Sequence, residues 1–236
     1  MRTVGIIGGM SWESTQIYYR LLNEETRKRL GGLHSAECIL HSVDFASIEE
    51  MQREGDWEGA AAKLLNIAKK LEASGAHGIV ISSNTMHKVA KTIENQIEIP
   101  LLHIGDAVAE GVKQREIEHV ALLGTRYTME EPFMGDRLKK YGLNVHAPEK
   151  NERDLIHHII FEELCVGKVR DVSRKRMLAV IEGLYDQGVH GIILGCTELH
   201  MLVKQEDLNL PVFDSTQLHV ESIVQFMLED VVQNVR

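Results

Sequence analysis

The sequence contains an internal repeat, which limits the chain to folds built from two similar halves. Residues 75–87 read GAHGIVISSNTMH and residues 188–200 read GVHGIILGCTELH, and the two strings align without a gap at an offset of 113. Identical residues occupy Gly75/Gly188, His77/His190, Gly78/Gly191, Ile79/Ile192 and His87/His200. The prolines of IEIPLLHIGD and LNLPVFDST match at an offset of 111, and the strings VGIIGG and VALLGT match at 116. Parallel strands alone explain shared Ile and Val but not shared Gly and His, so a duplicated unit is the better interpretation.

Short Val- and Ile-rich runs alternate with stretches of helical period in both halves. We predict strands at 3–7, 37–43, 78–81, 100–104, 119–123, 144–146, 191–194 and 211–213, and helices that include 85–94, 129–140, 152–165 and 217–232. Continuous apolar strands with helical crossovers indicate parallel sheets covered on both faces. The prediction is an α/β fold with two pseudo-symmetric parallel-sheet domains, 1–104 plus 215–236 and 105–214, and an active site in the cleft between them.

The composition excludes several classes of protein. Hydrophobic residues make up 44% and charged residues 26% of the chain, which suits a globular core, and the net charge of −9 argues against a nucleic-acid or anionic-membrane binder. The three cysteines, Cys38, Cys165 and Cys196, are widely spaced without a CxxC motif, so neither a disulfide framework nor a structural zinc site is predicted. The first apolar run is too short for a signal peptide, and we expect a cytoplasmic protein.

Reactive and polar side chains follow the middle strand of each half. Ligands of parallel α/β sheets bind at the carboxyl ends of the strands. The repeat matches Ser83 with Cys196 and Asn84 with Thr197, each at the start of a predicted helix whose N–H groups suit a carboxylate. The helix N-terminus is expected to lower the pKa of the Cys196 thiol and to make it the best nucleophile or base in the chain. The alternative is a small buried hydrophobe, which is our prediction for Cys38.

Several strings together resemble the aspartate/glutamate racemase family over nearly the whole chain. They are GIIGGMSWES, LHSVDF, SNTMHKVA, LLGTRYTM, FEELC and GCTE, and the set is most similar to the broad-specificity amino-acid racemases of that family. The resemblance implies a cofactor-independent racemase with two pseudo-symmetric α/β domains, usually a homodimer, whose small-molecule substrate is an amino acid. It also implies two cysteines that flank the α-carbon, one taking a proton as thiolate and the other returning one to the opposite face.

This chain departs from the family pattern at one of the two cysteines. The second family cysteine matches Cys196, whereas the first matches Ser83, whose hydroxyl is a far weaker acid than a thiol. We therefore expect catalysis to be unequal in the two directions, with Cys196 as the competent base. His87, one turn after Ser83, either tunes that side or is a capping or core histidine.

Further residues carry over by motif as substrate contacts. Asn84, Thr85 and Thr197 are expected to hold the α-carboxylate, and Thr125 and Thr128 to contact substrate from the second domain. The first strand–helix loop contributes Met10 and Ser11. Glu198 either orients Cys196, binds the amino group or simply complements a helix start. Arg126 is either a side-chain clamp or a solvated surface residue.

The substrate side chain is left open by the sequence. Aspartate-specific members of the family carry a lysine where this chain has Cys165, and Lys168 is near but out of register. An arginine that would grip a distal carboxylate is not evident around residues 42–48. Strict aspartate specificity is therefore not predicted, and a broader or different amino acid is the alternative.

Other chemistries are weighed against the racemase. The start of the chain does not fit G-x-G-x-x-G, no Walker P-loop occurs, and the pair His157-His158 with His200 lacks metal-ligand spacing, so we predict no cofactor and no metal. A one-thiol decarboxylase, similar to the arylmalonate decarboxylases, is the first alternative. An amino-acid-binding protein that has lost turnover is the second.

Overall fold

The computed structural model describes residues 1–233 and divides into two compact units. One contains Met1–His103 together with the chain from His219 onward, and the other contains Ile104–Leu218. Each unit holds a four-stranded parallel sheet with helices packed against it. The predicted α/β fold with two similar parallel-sheet domains is therefore confirmed.

The sheet of the first unit is built from strands that are mostly buried. These are β1 (Val4–Gly8), β2 (Cys38–Ser42), β3 (Gly78–Ile81) and β4 (Leu101–Leu102), in the order β2-β1-β3-β4. Its helices are α1 (Trp12–Leu30), α2 (Phe45–Glu54), α3 (Trp57–Ala73) and α4 (Ala90–Glu94). Every residue of β1 and β3 is buried, which is why both read as continuous apolar runs.

The sheet of the second unit has the same topology. Its strands are β5 (His119–Gly124), β6 (Asn144–His146), β7 (Gly191–Gly195) and β8 (Val212–Asp214), in the order β6-β5-β7-β8. The helices of this half are α5 (Ile104–Lys113), α6 (Arg126–Glu130), α7 (Pro132–Lys139), α8 (Lys150–Glu162) and α9 (Asp171–Asp186). The last helix, α10 (Ser215–Gln233), begins in the second unit and continues into the first.

The two sheets also share a strand register. Val80 of β3 pairs with Leu102 of β4, and Ile193 of β7 pairs with Phe213 of β8. The partners in the second sheet are displaced from those in the first by 113 and 111 residues, the same offsets that relate the sequence strings. The duplication predicted from the sequence is therefore present residue by residue in the strand pairing.

Two predicted helices are wrong in detail. The predicted helix over 85–94 is a 3₁₀ helix at Thr85–Val89 followed by the short α4. The predicted helix over 129–140 is divided at Pro132, because proline lacks the backbone N–H that a helix interior needs and instead starts α7 at its first position.

Gly9, directly after β1, is expected to be intolerant of any side chain. Its φ of +87° disfavours L residues, and a Cβ there would collide with the backbone of Val43. Gly31 has a similar φ of +76° but open space around it. We expect Gly9→Ala to lower the free energy of unfolding by roughly 2–4 kcal/mol and Gly31→Ala by only about 1 kcal/mol. Urea unfolding of both variants measures the difference, and equal losses would contradict the steric argument.

Candidate active site

Ser83 lies in the loop that leaves β3, and neighbouring bonds hold this loop in place. Both the backbone N–H and the hydroxyl of Ser82 lie within hydrogen-bond distance of the Ile7 carbonyl, at 3.1 and 3.2 Å. The hydroxyl of Ser83 accepts a bond from the backbone N–H of Met86 at 3.4 Å. The backbone carbonyl oxygen of Ser83 lies 2.8 Å from Nδ1 of His87. The Ser83 side chain, half-buried, therefore has a defined position at the end of the strand.

Thr15, which the sequence analysis missed, connects this loop to the one after β1. The Thr15 hydroxyl accepts a bond from the Gly9 N–H at 2.8 Å, donates to the Ser11 carbonyl at 2.9 Å, and lies 3.2 Å from the Ser82 hydroxyl. Ser11 itself caps α1, as its hydroxyl accepts from the Ser14 N–H at 3.2 Å. Met10 packs into the hydrophobic core of the first unit.

The remaining polar residues predicted for the site are buried within their own units. Asn84 and Thr85 directly follow Ser83 in the first unit. In the second unit, Thr125 caps α6, since its hydroxyl accepts from the Thr128 N–H at 3.3 Å, and the two hydroxyls lie 3.2 Å apart. Burial excludes bulk water from these hydroxyl and amide groups, which makes them stronger partners for a charged ligand.

Cys196 begins the loop after β7 and contacts a carboxylate. Its thiol donates to Oε2 of Glu198 at 2.9 Å, and the Thr197 hydroxyl donates to the same oxygen at 2.6 Å. Cys196 is 9% exposed and Glu198 is 4% exposed. One carboxylate oxygen thus accepts from a thiol and a hydroxyl on consecutive residues, an arrangement that allows a proton to move between sulfur and oxygen. Of the three alternatives given for Glu198, orienting Cys196 is the one for which the structure shows a contact.

The expected lowering of the Cys196 pKa is wrong. Burial raises the pKa of the thiol well above its ordinary value, and the negative charge of Glu198 raises it further, with a smaller contribution from Cys165. The predicted helix N-terminus is absent, because the loop leads into a three-residue 3₁₀ helix at Leu199–Met201 with too few aligned peptides to offset the burial. The resting form of Cys196 is therefore the neutral thiol.

Replacing Glu198 by glutamine is expected to make the Cys196 thiol ionise at lower pH. Removing the carboxylate charge removes one of the causes that raise the thiol pKa, so the thiolate forms at a lower pH than in the wild-type protein. The pH dependence of Cys196 alkylation by iodoacetamide, followed on the Cys196 peptide by mass spectrometry, measures this. The control is Glu206→Gln, which neutralises an exposed carboxylate of the same unit. An unchanged alkylation midpoint in Glu198→Gln would refute the electrostatic coupling.

The Cys196 and Thr125 loops leave adjacent strands at the same level. Gly124 of β5 and Gly195 of β7 are direct strand partners, so Thr125 and Cys196 begin their loops side by side. A Cβ on Gly124 would lie 2.8 Å from the Gly195 carbonyl oxygen, and one on Gly195 would lie 2.9 Å from the Leu123 carbonyl oxygen. The two glycines allow a close strand approach that brings the Thr125 hydroxyl and the Cys196 thiol to one edge.

The other cysteines occupy different environments. Cys165 lies in a 3₁₀ helix, Leu164–Val166, where the sequence predicted the end of an α-helix over 152–165. It packs against the same hydrophobic core as Cys196. Cys38 lies in β2 against the core of the first unit, and burial raises the pKa of its thiol. All three cysteines are free.

Arg126 lies at the surface of the second unit. Its side chain is 50% exposed, and its Nε lies 3.9 Å from a carboxylate oxygen of Asp154. Its backbone N–H donates to Nδ1 of His157 at 3.2 Å, and burial together with the Arg126 charge lowers the pKa of that histidine. Of the two alternatives for Arg126, the geometry favours the surface residue.

Two negative findings apply to residues 1–233. No group of three or more His, Cys, Asp or Glu side chains is arranged to hold a metal ion. None of the helices in this range combines the length and apolarity needed to cross a bilayer.

Known proteins resemble this chain along its length. A broad specificity amino-acid racemase from Bacillus subtilis is 23% identical over 239 residues, covering 95% of this chain and 98% of that relative. Among solved structures, a candidate Asp/Glu racemase from Yersinia pestis is 49% identical with a TM-score of 0.92, covering 97% of this chain and 100% of that one. An aspartate racemase homologue from Pyrococcus horikoshii is 36% identical with a TM-score of 0.85, covering 96% and 99%.

A family model accounts for most of the sequence and confirms the resemblance found in the motifs. The Asp/Glu/Hydantoin racemase model matches residues 7–223. That range contains both strand–loop segments with Ser83 and Cys196, and all the strands from β5 to β8. The match to this family model supports an isomerase acting on amino acids. The chain belongs to the Asp/Glu/hydantoin racemase family.

Proposed function

We propose that this protein is a cofactor-independent amino-acid racemase that removes the α-proton from one face of its substrate and returns a proton to the other. The observation that carries the proposal is the contact between the Cys196 thiol and the Glu198 carboxylate at 2.9 Å, because it joins a proton donor to a base in a buried site. Family membership supports the reaction class. The chemistry needs an acid, a base and donors for the carbanion, all of which side chains supply.

Cys196 is the base in the direction that starts on its face. The thiol passes its proton to Oε2 of Glu198, and the resulting thiolate takes the α-proton as the Cα–H bond breaks. The electron pair of that bond moves into the substrate carboxylate, where N–H and hydroxyl donors stabilise it. A thiol with a raised pKa is a stronger base once ionised, and because it rests neutral it carries the proton that the reverse step needs.

Ser83 donates or relays the proton on the other face. Its hydroxyl is too weak an acid to ionise readily, so a carbanion formed by Cys196 is reprotonated from the Cys196 side more often than from the Ser83 side. Enantiomers have equal free energies, so kcat/KM must be the same in both directions. The unequal strength of Cys196 and Ser83 therefore appears as a difference between two rates. Exchange of the α-proton with solvent is faster than inversion.

In this proposal the α-carboxylate of the substrate is held by Asn84, Thr85 and Thr197. Further substrate contacts come from Met10, Ser11, Thr125 and Thr128. The substrate is aspartate, glutamate or a wider set of amino acids. Cys165 is close enough to Cys196 to raise its pKa. A neutral cysteine stands at this position, where an enzyme specific for acidic side chains would favour a cation. A homodimer and a cytoplasmic location stay predictions.

A one-thiol decarboxylase is the second candidate, favoured by the serine at position 83. In that reaction a carbon–carbon bond breaks to release CO₂, and the Cys196 thiol protonates the carbanion from one face only. The Ser83 hydroxyl would then be a binding group rather than an acid.

Incubation in D₂O with each enantiomer of aspartate, glutamate and several neutral amino acids tests the proposal. Proton NMR follows loss of the α-proton, and chiral chromatography follows inversion. Exchange with inversion supports the racemase, and CO₂ release from substituted malonates without exchange supports the decarboxylase. Calorimetric binding of an amino acid with neither α-proton exchange nor CO₂ release from the malonates would refute both and identify a binding protein.

A further inference from the structure

Three buried histidines pack together in the first unit, next to the Ser83 loop. We call them the histidine cluster (His87, His103 and His219). The ring of His87 lies 4.6 Å from that of His103 and 5.8 Å from that of His219, centroid to centroid. Their exposed fractions are 2%, 6% and 0%. They come from the loop after β3, the residue after β4 and the first residue of α10 in this unit, so one cluster joins three separate segments.

Hydrogen bonds fix the orientation of two of these rings. Nε2 of His219 lies 2.7 Å from the carbonyl of Leu102, and a carbonyl only accepts, so Nε2 carries the hydrogen. Nδ1 of His219 lies 2.9 Å from the Tyr18 hydroxyl, which donates to it when the ring is neutral. By the same logic Nδ1 of His87 donates to the carbonyl of Ser83 at 2.8 Å.

The bond from His87 to Ser83 lies at the start of a loop that departs from α-helical geometry. In an α-helix the backbone N–H of residue 87 would bond the carbonyl of residue 83. Here the His87 ring occupies that carbonyl, and the His87 N–H bonds the Asn84 carbonyl instead, at 3.1 Å. The segment Thr85–Val89 is a 3₁₀ helix in place of the predicted α-helix. The His87 side chain therefore bonds directly to the backbone of the residue that carries the Ser83 hydroxyl.

The second unit supports its own loop with different chemistry. The repeat offsets match His87 with His200 and His103 with Asp214. His200 bonds the carbonyl of Thr197 through Nδ1. Burial raises the pKa of the Asp214 carboxyl, while bonds from the Gln217 N–H and the charge of His200 lower it. The Cys196 side thus has an imidazole facing a carboxylate, whereas the Ser83 side has an imidazole facing other imidazoles.

We propose that His87 is a positioning residue that holds the Ser83 hydroxyl in place for proton return, with His103 and His219 fixing its ring. The bond from Nδ1 to the Ser83 carbonyl is the part of the histidine that matters, not its basicity. The catalytic consequence rests on the racemase function proposed above, but the effect on the loop does not. An asparagine at this position can reproduce the donor, because its Nδ2 lies where Nδ1 lies, whereas leucine fills the space without donating.

The test compares His87→Leu and His87→Asn with the wild-type protein, and His200→Leu with His200→Asn as the matched pair in the other unit. Hydrogen–deuterium exchange of the peptide over residues 83–90 measures loop order independently of activity. In His87→Leu we expect faster exchange in this peptide and an inversion rate that falls about 10-fold relative to α-proton exchange, a change equivalent to roughly 1.4 kcal/mol. His87→Asn is expected to restore both. His200→Leu is expected to leave the 83–90 peptide unchanged.

Each outcome has a defined meaning. Faster amide exchange over the whole chain in His87→Leu indicates global destabilisation, in which case the His87→Asn comparison decides the matter. Wild-type loop protection in His87→Leu, or failure of His87→Asn to restore it, overturns the positioning role. Loop loosening in His87→Leu without any racemase activity in the wild type leaves His87 as an anchor of the loop and overturns the proposed function alone.

Discussion

Cys196→Ala is expected to lower the rates of α-proton exchange and of inversion, each by about 10³-fold or more. The thiol is the only group proposed to take the α-proton on its face, and alanine leaves the Glu198 carboxylate without a sulfur to receive a proton from. Cys196→Ser keeps a hydroxyl that can donate to Glu198 but ionises far less readily, so a similar loss is expected. Proton NMR in D₂O and chiral chromatography measure the two rates separately.

Cys38→Ala is the matched control for removal of a thiol. Cys38 lies in β2 and packs against the core of the first unit. Its replacement is therefore expected to lower the free energy of unfolding and to leave both reaction rates unchanged. Thermal unfolding of all variants separates the two effects. Exchange in Cys196→Ala at a rate comparable with the wild type would mean that another group is the base, and the mechanism would have to be abandoned.

Ser83→Ala is expected to separate exchange from inversion. Without the hydroxyl no proton is returned on the Ser83 face, so inversion falls by about 10²-fold or more while exchange through Cys196 continues. Ser83→Cys is expected to raise inversion above the wild-type rate, because a thiol ionises several pH units below an alcohol and can act as both acid and base. The same NMR and chromatographic measurements report the ratio of inversion to exchange.

Ser83→Thr serves as the control, since it keeps a hydroxyl at the same position. It is expected to retain more inversion than Ser83→Ala. If Ser83→Ala racemises at the wild-type rate, the proton on that face comes from elsewhere and Ser83 is only a structural residue. If Ser83→Cys gains nothing, the weak acidity of serine is not what limits inversion.

The parts of the candidate site that lie close together along the chain were predictable. Ser83, Asn84 and Thr85 follow one buried strand, and Cys196, Thr197 and Glu198 follow its repeat, so the strand ends alone put each set at a sheet edge. The pairing of Cys196 with Glu198 joins residues two apart, and one of the alternatives predicted for Glu198 is the contact found. Family membership also followed from strings of adjacent residues.

The parts that depend on distant segments were not predictable. Thr15 connects the β1 and β3 loops, and the histidine cluster gathers residues from three segments, neither of which leaves a periodic signal in the sequence. The sign of the Cys196 pKa shift was also wrong. The sequence predicted that the Cys196 loop begins a helix, whose N-terminus would lower the pKa. The pKa depends instead on how deeply the thiol is buried and on which charges lie near it, and both raise it.

The sequence by itself determined the duplicated α/β architecture and the family, because strand periodicity, repeat offsets and residue identity are properties of the linear chain. The replacement of a reactive thiol by Ser83 stays a prediction from the same sequence. The tertiary structure decided the protonation of Cys196 and the packing beside the Ser83 loop. Desolvation acts on the Cys196 thiol from every direction, and segments distant along the chain bring His103 and His219 against His87.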